Sequence, residues 1–316
     1  MIQKCLHTLV FVCMAAQMSA QEGDTGYQFL GVPTSAHSAA LGGNNVSVIE
    51  DDATLIYTNP ALLVNVADKT LNLNFTSYIA STSKLGATFT KKAGERGSWA
   101  LGGMVLNYGE MTETNANFEE LGKFSASDIC VQGGYSYLFS DRWSGGVQGK
   151  VLMSNYGEFS SVALGVDLGL NYYDEEHGWS VGLVAQNLGG QVDALYETSE
   201  SLPCNVVLGV SKELENAPLR LSCTFDRLTD WDIKKPINHL SFGLDFFPSG
   251  TTWVALGYNP RRANEMKAAG SSHAAGLSFG AGVQLKRFKF GLAYAKYHVS
   301  SPTLAVSLAY NIQKNK

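Results

Sequence analysis

The side chains best suited to chemistry stand apart from one another in this chain. Its six histidines (His7, His37, His177, His239, His273 and His298) are each isolated, with no second ligand at a spacing that holds a metal. Asp51-Asp52 pairs two carboxylates that either bind a cation or form a solvated acidic turn, and the turn is the simpler reading. Gly102-Gly103 and Gly133-Gly134 lie inside alternating apolar segments, where glycine marks a bend or a close approach and not a phosphate cradle. No Ser/His or Asp/His set of a membrane-wall hydrolase stands out. Catalysis, a cofactor site and a metal site are therefore not expected. A net charge of −5 also speaks against nucleic acid as a partner.

The remaining candidates are side chains that would meet another molecule. Glu119 and Glu120 sit in an acidic stretch, Asn115 to Lys123, and Glu197 and Glu200 in a polar one. Trp231, Arg261 and Arg262 fall in two further long connections. For any one of them a solvated surface loop is the plainer reading. Three cysteines lie outside the N-terminal twenty residues: Cys130, Cys204 and Cys223. An odd, sparse set is no disulfide framework, and the strand register keeps Cys204 nearer Asp226 than Cys223.

What positions these residues is a two-residue period. Leu304, Val306, Leu308, Tyr310 and Ile312 alternate with Thr303, Ala305, Ser307, Ala309 and Asn311. Val162, Leu164, Val166, Leu168, Leu170 and Tyr172 alternate with Ala163, Gly165, Asp167, Gly169 and Asn171. Such segments have one apolar and one small or polar face, and their length approaches that of a tilted membrane-spanning strand. The pattern predicts an all-β, transmembrane antiparallel barrel of about fourteen strands, from 70–78 to 302–312. Within that series, strand three is expected at 97–107, four at 126–139, seven at 178–188 and nine at 218–229.

Residues 1–20 read as a signal peptide: Lys4, an apolar stretch from Leu6 to Ala16, then Met18-Ser19-Ala20 as the cleavage site. Residues 21–69 read as a short, partly helical periplasmic or plug segment, in which Asn59 caps a helix start and Pro60 occupies its first position. Residues 70–316 form the barrel. No later apolar run is long enough for a transmembrane helix.

Connections at one end are short (93–96, 140–141, 174–177, 213–217, 248–250 and 287). Those at the other include four long ones, 108–125, 189–203, 229–237 and 260–273. This is the asymmetry of outer-membrane barrels. Trp99, Tyr135, Tyr137, Phe139, Trp143, Tyr172, Trp179, Phe246, Trp253, Phe288 and Tyr310 gather at the short-turn end as an aromatic girdle. The inferred interior face carries Gly146, Gln148, Lys150, Gly165, Asp167, Gly169, Ser241, Gly243, Asp245, Gly280 and Gly282. It is too sparsely charged for a porin constriction and leaves room for a plug or an apolar guest.

A segment with Asn59-Pro60-Ala61-Leu62 before fourteen strands resembles the FadL superfamily of long-chain fatty-acid transporters. Phe29-Leu30-Gly31-Val32-Pro33-Thr34-Ser35-Ala36, Ala40-Leu41-Gly42-Gly43-Asn44 and the stretch from Asp51 to Leu63 are more closely similar to the PorV/PorQ family of the Bacteroidota type IX secretion system. Gln186-Asn187-Leu188-Gly189-Gly190 is similar to a turn shared by that family, and would end strand seven. The resemblance implies a non-enzymatic outer-membrane scaffold of a cell-surface attachment complex. Its partners would be PorV, the sortase-like PorU, a PorZ-like surface protein and lipopolysaccharide. The other expectation is a FadL-like passive transporter of hydrophobic small molecules, although no FadL ligand-binding residue can be placed here. The chain also departs from many barrels in running past Tyr310 and Ile312 to Lys316, without a terminal aromatic assembly signal.

Overall fold

The computed structural model describes residues 26–79, 82–115, 117–194, 199–266, 274–297 and 301–313. The signal peptide and Glu197 lie outside these residues. Fourteen antiparallel strands, each bonded to the next, form a closed barrel. They are β1 (Thr70–Ser77), β2 (Ser83–Ala93), β3 (Gly97–Thr114), β4 (Glu120–Leu138), β5 (Trp143–Tyr156), β6 (Phe159–Asp174) and β7 (Trp179–Asp193). The second half comprises β8 (Asn205–Glu213), β9 (Leu219–Phe225), β10 (Leu240–Ser249), β11 (Thr252–Tyr258), β12 (Leu277–Leu285), β13 (Phe288–Ala295) and β14 (Thr303–Asn311). β1 closes the wall on β14 from Thr70↔Asn311 to Ser77↔Leu304.

The alternation is turned inside out relative to a water-soluble domain. Along β1, Thr70, Asn72, Asn74 and Thr76 are buried, whereas Leu73 and Phe75 are 46% and 43% exposed. Leu101, Leu168, Leu256, Phe279, Leu292 and Val306 continue the apolar outer surface around the wall. A closed barrel leaves no unpaired backbone in its wall, so this surface can face lipid. No helix among the described residues is long and apolar enough to cross a membrane. The girdle also faces outward, with one exception: Trp253 points into the lumen, because its neighbours in the alternation, Val254 and Leu256, take the lipid side.

Four strands depart from expectation. β3 and β4 run far past their expected ends, so residues 108–125 are mostly strand and not loop. β2 pairs with β3 only as far as Asn107, and β5 meets β4 only from Ala126. Beyond those points no strand flanks the hairpin among the described residues, and the Gly157 amide, which donates to the Ser125 carbonyl at 3.1 Å, braces only its base. Its seven extra residues on β3, Tyr108 to Thr114, project about 23 Å at ~3.3 Å each. β9 stops at Phe225, where Leu228–Asp230 forms a 3-10 turn. β7 continues to Asp193, so Asn187-Leu188-Gly189 lies within the strand and does not end it.

Residues 26–68 fill the lumen. Helix α1 (Ala36–Ala40) is capped by Ser35, whose hydroxyl accepts from the Ser38 amide at 3.0 Å. A 3-10 turn at Ala53–Tyr57 is capped by Asp52, and another at Pro60–Asn65 by Asn59, whose Oδ1 accepts from the Ala61 amide at 3.0 Å. The expected cap and Pro60 position are both present, on a 3-10 turn in place of an α-helix. The plug supplies the apolar core that the polar inner wall lacks. Leu55, Ile56, Leu62, Leu63 and Val66 pack together against Ala100. Leu41 and Val48 pack with α1 against Ala255, Ala293 and Ala305.

Candidate functional site

The plug lies within the wall's contact distance because the wall is glycine where they meet. A Cβ on Gly182 would come 2.1 Å from the Val46 carbonyl oxygen, and one on Gly257 2.2 Å from the Gly42 amide. At Gly146 and Gly169 the same atom would strike Pro60 and Asn59. The small interior residues thus make space for the plug backbone. Asn59, singled out in the sequence, is fully buried, and its Nδ2 donates to the Val46 carbonyl at 2.8 Å, tying two passes of the plug together.

One charged cluster joins plug to wall. His37, on α1, places Nδ1 2.5 Å from a Glu50 carboxylate oxygen and Nε2 2.7 Å from Asp245 on β10. Its ring stacks on Trp253 with centroids 4.2 Å apart. Arg220 on β9 donates to Asp245 at 2.8 Å and to the Ile49 carbonyl at 2.8 Å. Burial opposes a charge on His37, but the flanking carboxylates outweigh it and raise its pKa from 6.5 to about 10. Both ring nitrogens face carboxylate oxygens, an arrangement that favours the doubly protonated ring. Sequence reading missed this site because its members lie at 37, 50, 220 and 245. The available signal was inward parity, which placed Asp245 on the interior face.

Asp51 and Asp52 are half-buried beside the short-turn-end cavity and are bonded within the protein. Asp51 accepts from the Ala67 amide at 2.7 Å and pairs with Lys289 at 2.6 Å. Asp52 accepts from the Thr54 amide and from Asn72, each at 2.8 Å.

The Asn187-Leu188-Gly189 motif is a β-bulge. Asp167 on β6 faces two β7 residues, Gln186 and Asn187, where the register shifts between Val166↔Leu188 and Leu168↔Ala185. Asn187 takes the left-handed conformation (φ 59°). Its amide donates to Asp167 at 2.7 Å, its Nδ2 to the Pro203 carbonyl at 2.9 Å, and its Oδ1 accepts from Lys150 at 2.7 Å. Lys150 also pairs with Asp167 at 2.7 Å. At Gly189 a Cβ would lie 2.0 Å from the Leu164 carbonyl oxygen, so only glycine fits. Leu188 stands opposite Val166 in the register.

Two cavities flank the plug. One, of about 200 Å³, reaches the long-loop end and is lined largely by amides and charges, including Asn44, Gln132, Gln186, Asn205 and Asn259. The other, of about 310 Å³, reaches the short-turn end beside His37, Arg220, Trp253 and Lys289.

The expected partner residues are spread over the long-loop end. Glu119 closes the tip of the β3–β4 arm, accepting from Asn115 Nδ2 at 2.7 Å, and Glu120 begins β4, exposed. Glu200 is exposed beside Gly26, and its amide donates to Gln191 at 2.7 Å. Trp231 stacks on His239 at 4.4 Å. Helix α2 (Pro260–Glu265) turns its arginines toward the mouth: Arg261 pairs with Glu265 at 3.5 Å and lines the first cavity. Arg262 lies over the Tyr297 ring at 3.8 Å and donates to the Gly42 carbonyl at 3.1 Å, holding the plug. Cys204 and Cys223 are separate free thiols: Cys223 pairs in register with Val210, and the Cys204 carbonyl accepts from Thr229.

No protein-family model matches the chain, and no curated protein is similar to it in sequence. Solved structures are similar in fold. The toluene transporter TodX of Pseudomonas putida is 12% identical, with a TM-score of 0.57 over 88% of this chain and 97% of that one. A FadL homologue of Pseudomonas aeruginosa is 10% identical, with a TM-score of 0.57 over 89% and 98%. CymD, a monoaromatic hydrocarbon channel, is 14% identical, with a TM-score of 0.58 over 89% and 97%. The barrel thus shares its fold with these proteins.

Proposed function

We propose that this chain is an outer-membrane scaffold of a Gram-negative, Bacteroidota-type bacterium, holding a surface partner of a type IX secretion attachment complex. The observation that carries the reading is the β3–β4 arm. It stands beyond the wall with no strand beside either edge among the described residues, and carries Phe118 and Leu121 90% and 62% exposed. Unpaired edges with apolar tips are surfaces on which another chain adds a strand. Ile233, 84% exposed in the β9–β10 connection, adds a second apolar contact at the same end. The plug-filled lumen and the N-terminal resemblance support a holding role. The partner would be PorZ-like, with PorU and PorV in the same complex and lipopolysaccharide around it.

The test removes the arm (residues 110–123) and follows the partner in a gentle-detergent pull-down from the native membrane. The truncated barrel should keep its heat-modifiable gel mobility and lose the surface protein. Full recovery of that protein without the arm, and after trimming the β9–β10 connection as well, would sink the reading.

The comparisons favour a second reading, passive transport of hydrophobic small molecules, because the similar structures include a toluene transporter and a hydrocarbon channel. Against it stands the amide-rich lining of the cavity at the long-loop end. Saturable binding of a monoaromatic hydrocarbon, displaced by cavity-lining substitutions, would decide for transport.

A further inference from the structure

The two cavities approach from opposite ends of the barrel and share one lining residue among those described, Glu50. Its carboxylate is held by His37, which lines only the cavity at the short-turn end. On the other side of the same plug pass, Ser38 and Val48 face the first cavity. The two spaces thus come together at Glu50, with the His37–Glu50 pair between them. Charged side chains line each space, among them Lys150, Asp226 and Arg262 in the first and His37, Arg220 and Lys289 in the second, so each can take up water from its own end. We propose that the lumen carries a path for small ions and polar solutes, and that the His37–Glu50 pair is its gate. This goes beyond a scaffold role and differs in chemistry from a hydrocarbon route.

The pair can act as a latch because each member has a second hold. His37 keeps Asp245 on the wall when Glu50 swings away, and Arg220 keeps Asp245 in place through its own bond at 2.8 Å. Glu50 sits on the connection between α1 and the Ala53–Tyr57 turn, so its side chain can move without displacing either. Opening the pair breaks one 2.5 Å contact, and on this proposal that is the step that connects the two cavities.

Charge at the pair makes the test specific. His37→Ala leaves Glu50 and Asp245 facing the opening and biases the path toward cations. Glu50→Ala leaves an imidazolium held only by Asp245 and biases it toward anions. Each variant, checked for a folded barrel by heat-modifiable mobility and circular dichroism, is reconstituted into planar bilayers beside the wild type in potassium chloride. The wild type is expected to stay closed with rare openings, and both variants to carry steady current with opposite shifts in reversal potential. Steady current in the wild type overturns the gate, and folded variants that stay closed overturn the path. Equal ion preference in the two variants overturns the assignment, since a plug that is merely loosened leaks alike in both. Should either alanine variant not fold, His37→Gln and Glu50→Gln take their places with the same readouts. The measurement uses no surface partner, so its outcome is independent of the arm's role.

Discussion

His37 and Asp245 are 208 residues apart in sequence and 2.7 Å apart in the lumen. Through that contact the plug's one α-helix before β1 is fastened to the wall between β9 and β11. Asp245 is fully buried, and its other oxygen receives Arg220. Asp245→Ala is expected to leave two buried cations facing each other, a loss of about 3–5 kcal/mol for a broken buried pair. The temperature at which the barrel loses its compact gel mobility should fall well below that of the wild type. An unchanged midpoint would mean that the plug is held elsewhere.

The same cluster gives a pH dependence. His37 is raised to about 10 although burial opposes its charge, because Glu50 and Asp245 flank it. Its contribution is full below its ordinary 6.5 and is lost as pH rises toward 10. Glu50 is lowered from 4.5 although burial resists its charge, because His37 faces it, so its contribution is lost as pH falls below 4.5. Asp52, pushed up to about 6 by burial and by Glu50, runs the other way and costs stability as pH rises from 3.8 through that value. The plug should therefore hold best near mildly acid pH. The unfolding midpoint should be higher at roughly pH 6 than at roughly pH 9. His37→Gln should flatten that difference.

Glycines of the wall separate into those whose Cα faces the plug and those that face away from it. Gly182→Ala and Gly257→Ala put a methyl group into plug backbone, at 2.1 and 2.2 Å. Both should cut the yield of folded barrel sharply. Gly190→Ala meets nothing within 4 Å and should fold like the wild type. Protease resistance of the purified proteins checks all three.

At the bulge, Asn187→Gly should keep the left-handed backbone and lose only the side-chain bonds to Pro203 and Lys150, an effect of about 1–3 kcal/mol. Asn187→Ala adds backbone strain of about 1 kcal/mol or more to that loss. Gly189→Ala, blocked by the Leu164 carbonyl, should be the most damaging of the three. Thermal midpoints ordered otherwise would count against the bulge as the motif's purpose.

Much of the wall was legible in the sequence, because a lipid-facing strand must show its period residue by residue. The fourteen strands, the closed order and the outward girdle follow from that rule. The extension of β3 and β4 did not, since Glu110, Glu113 and Glu120 break the apolar period once the hairpin leaves the wall. Trp253 was assigned to the girdle by its height, although its parity in β11 sends it inward. The Asn59 cap was readable because it is local. The His37 cluster was not, because its partners come from the plug and two strands more than 170 residues away.

Gly26 donates to the Ser201 carbonyl at the long-loop mouth, whereas the same segment enters β1 at the opposite end of the barrel. The first stretch of chain is thus a rope lying through a hoop that its own continuation closes. A finished hoop could be threaded only by pulling the free end past Pro60, Val46 and α1 against walls with no room for a methyl group. The β1–β14 seam must therefore be sewn around a rope already in place. The order of biogenesis is written into the route of these first residues, and a plug that packs badly should stall assembly at that last seam.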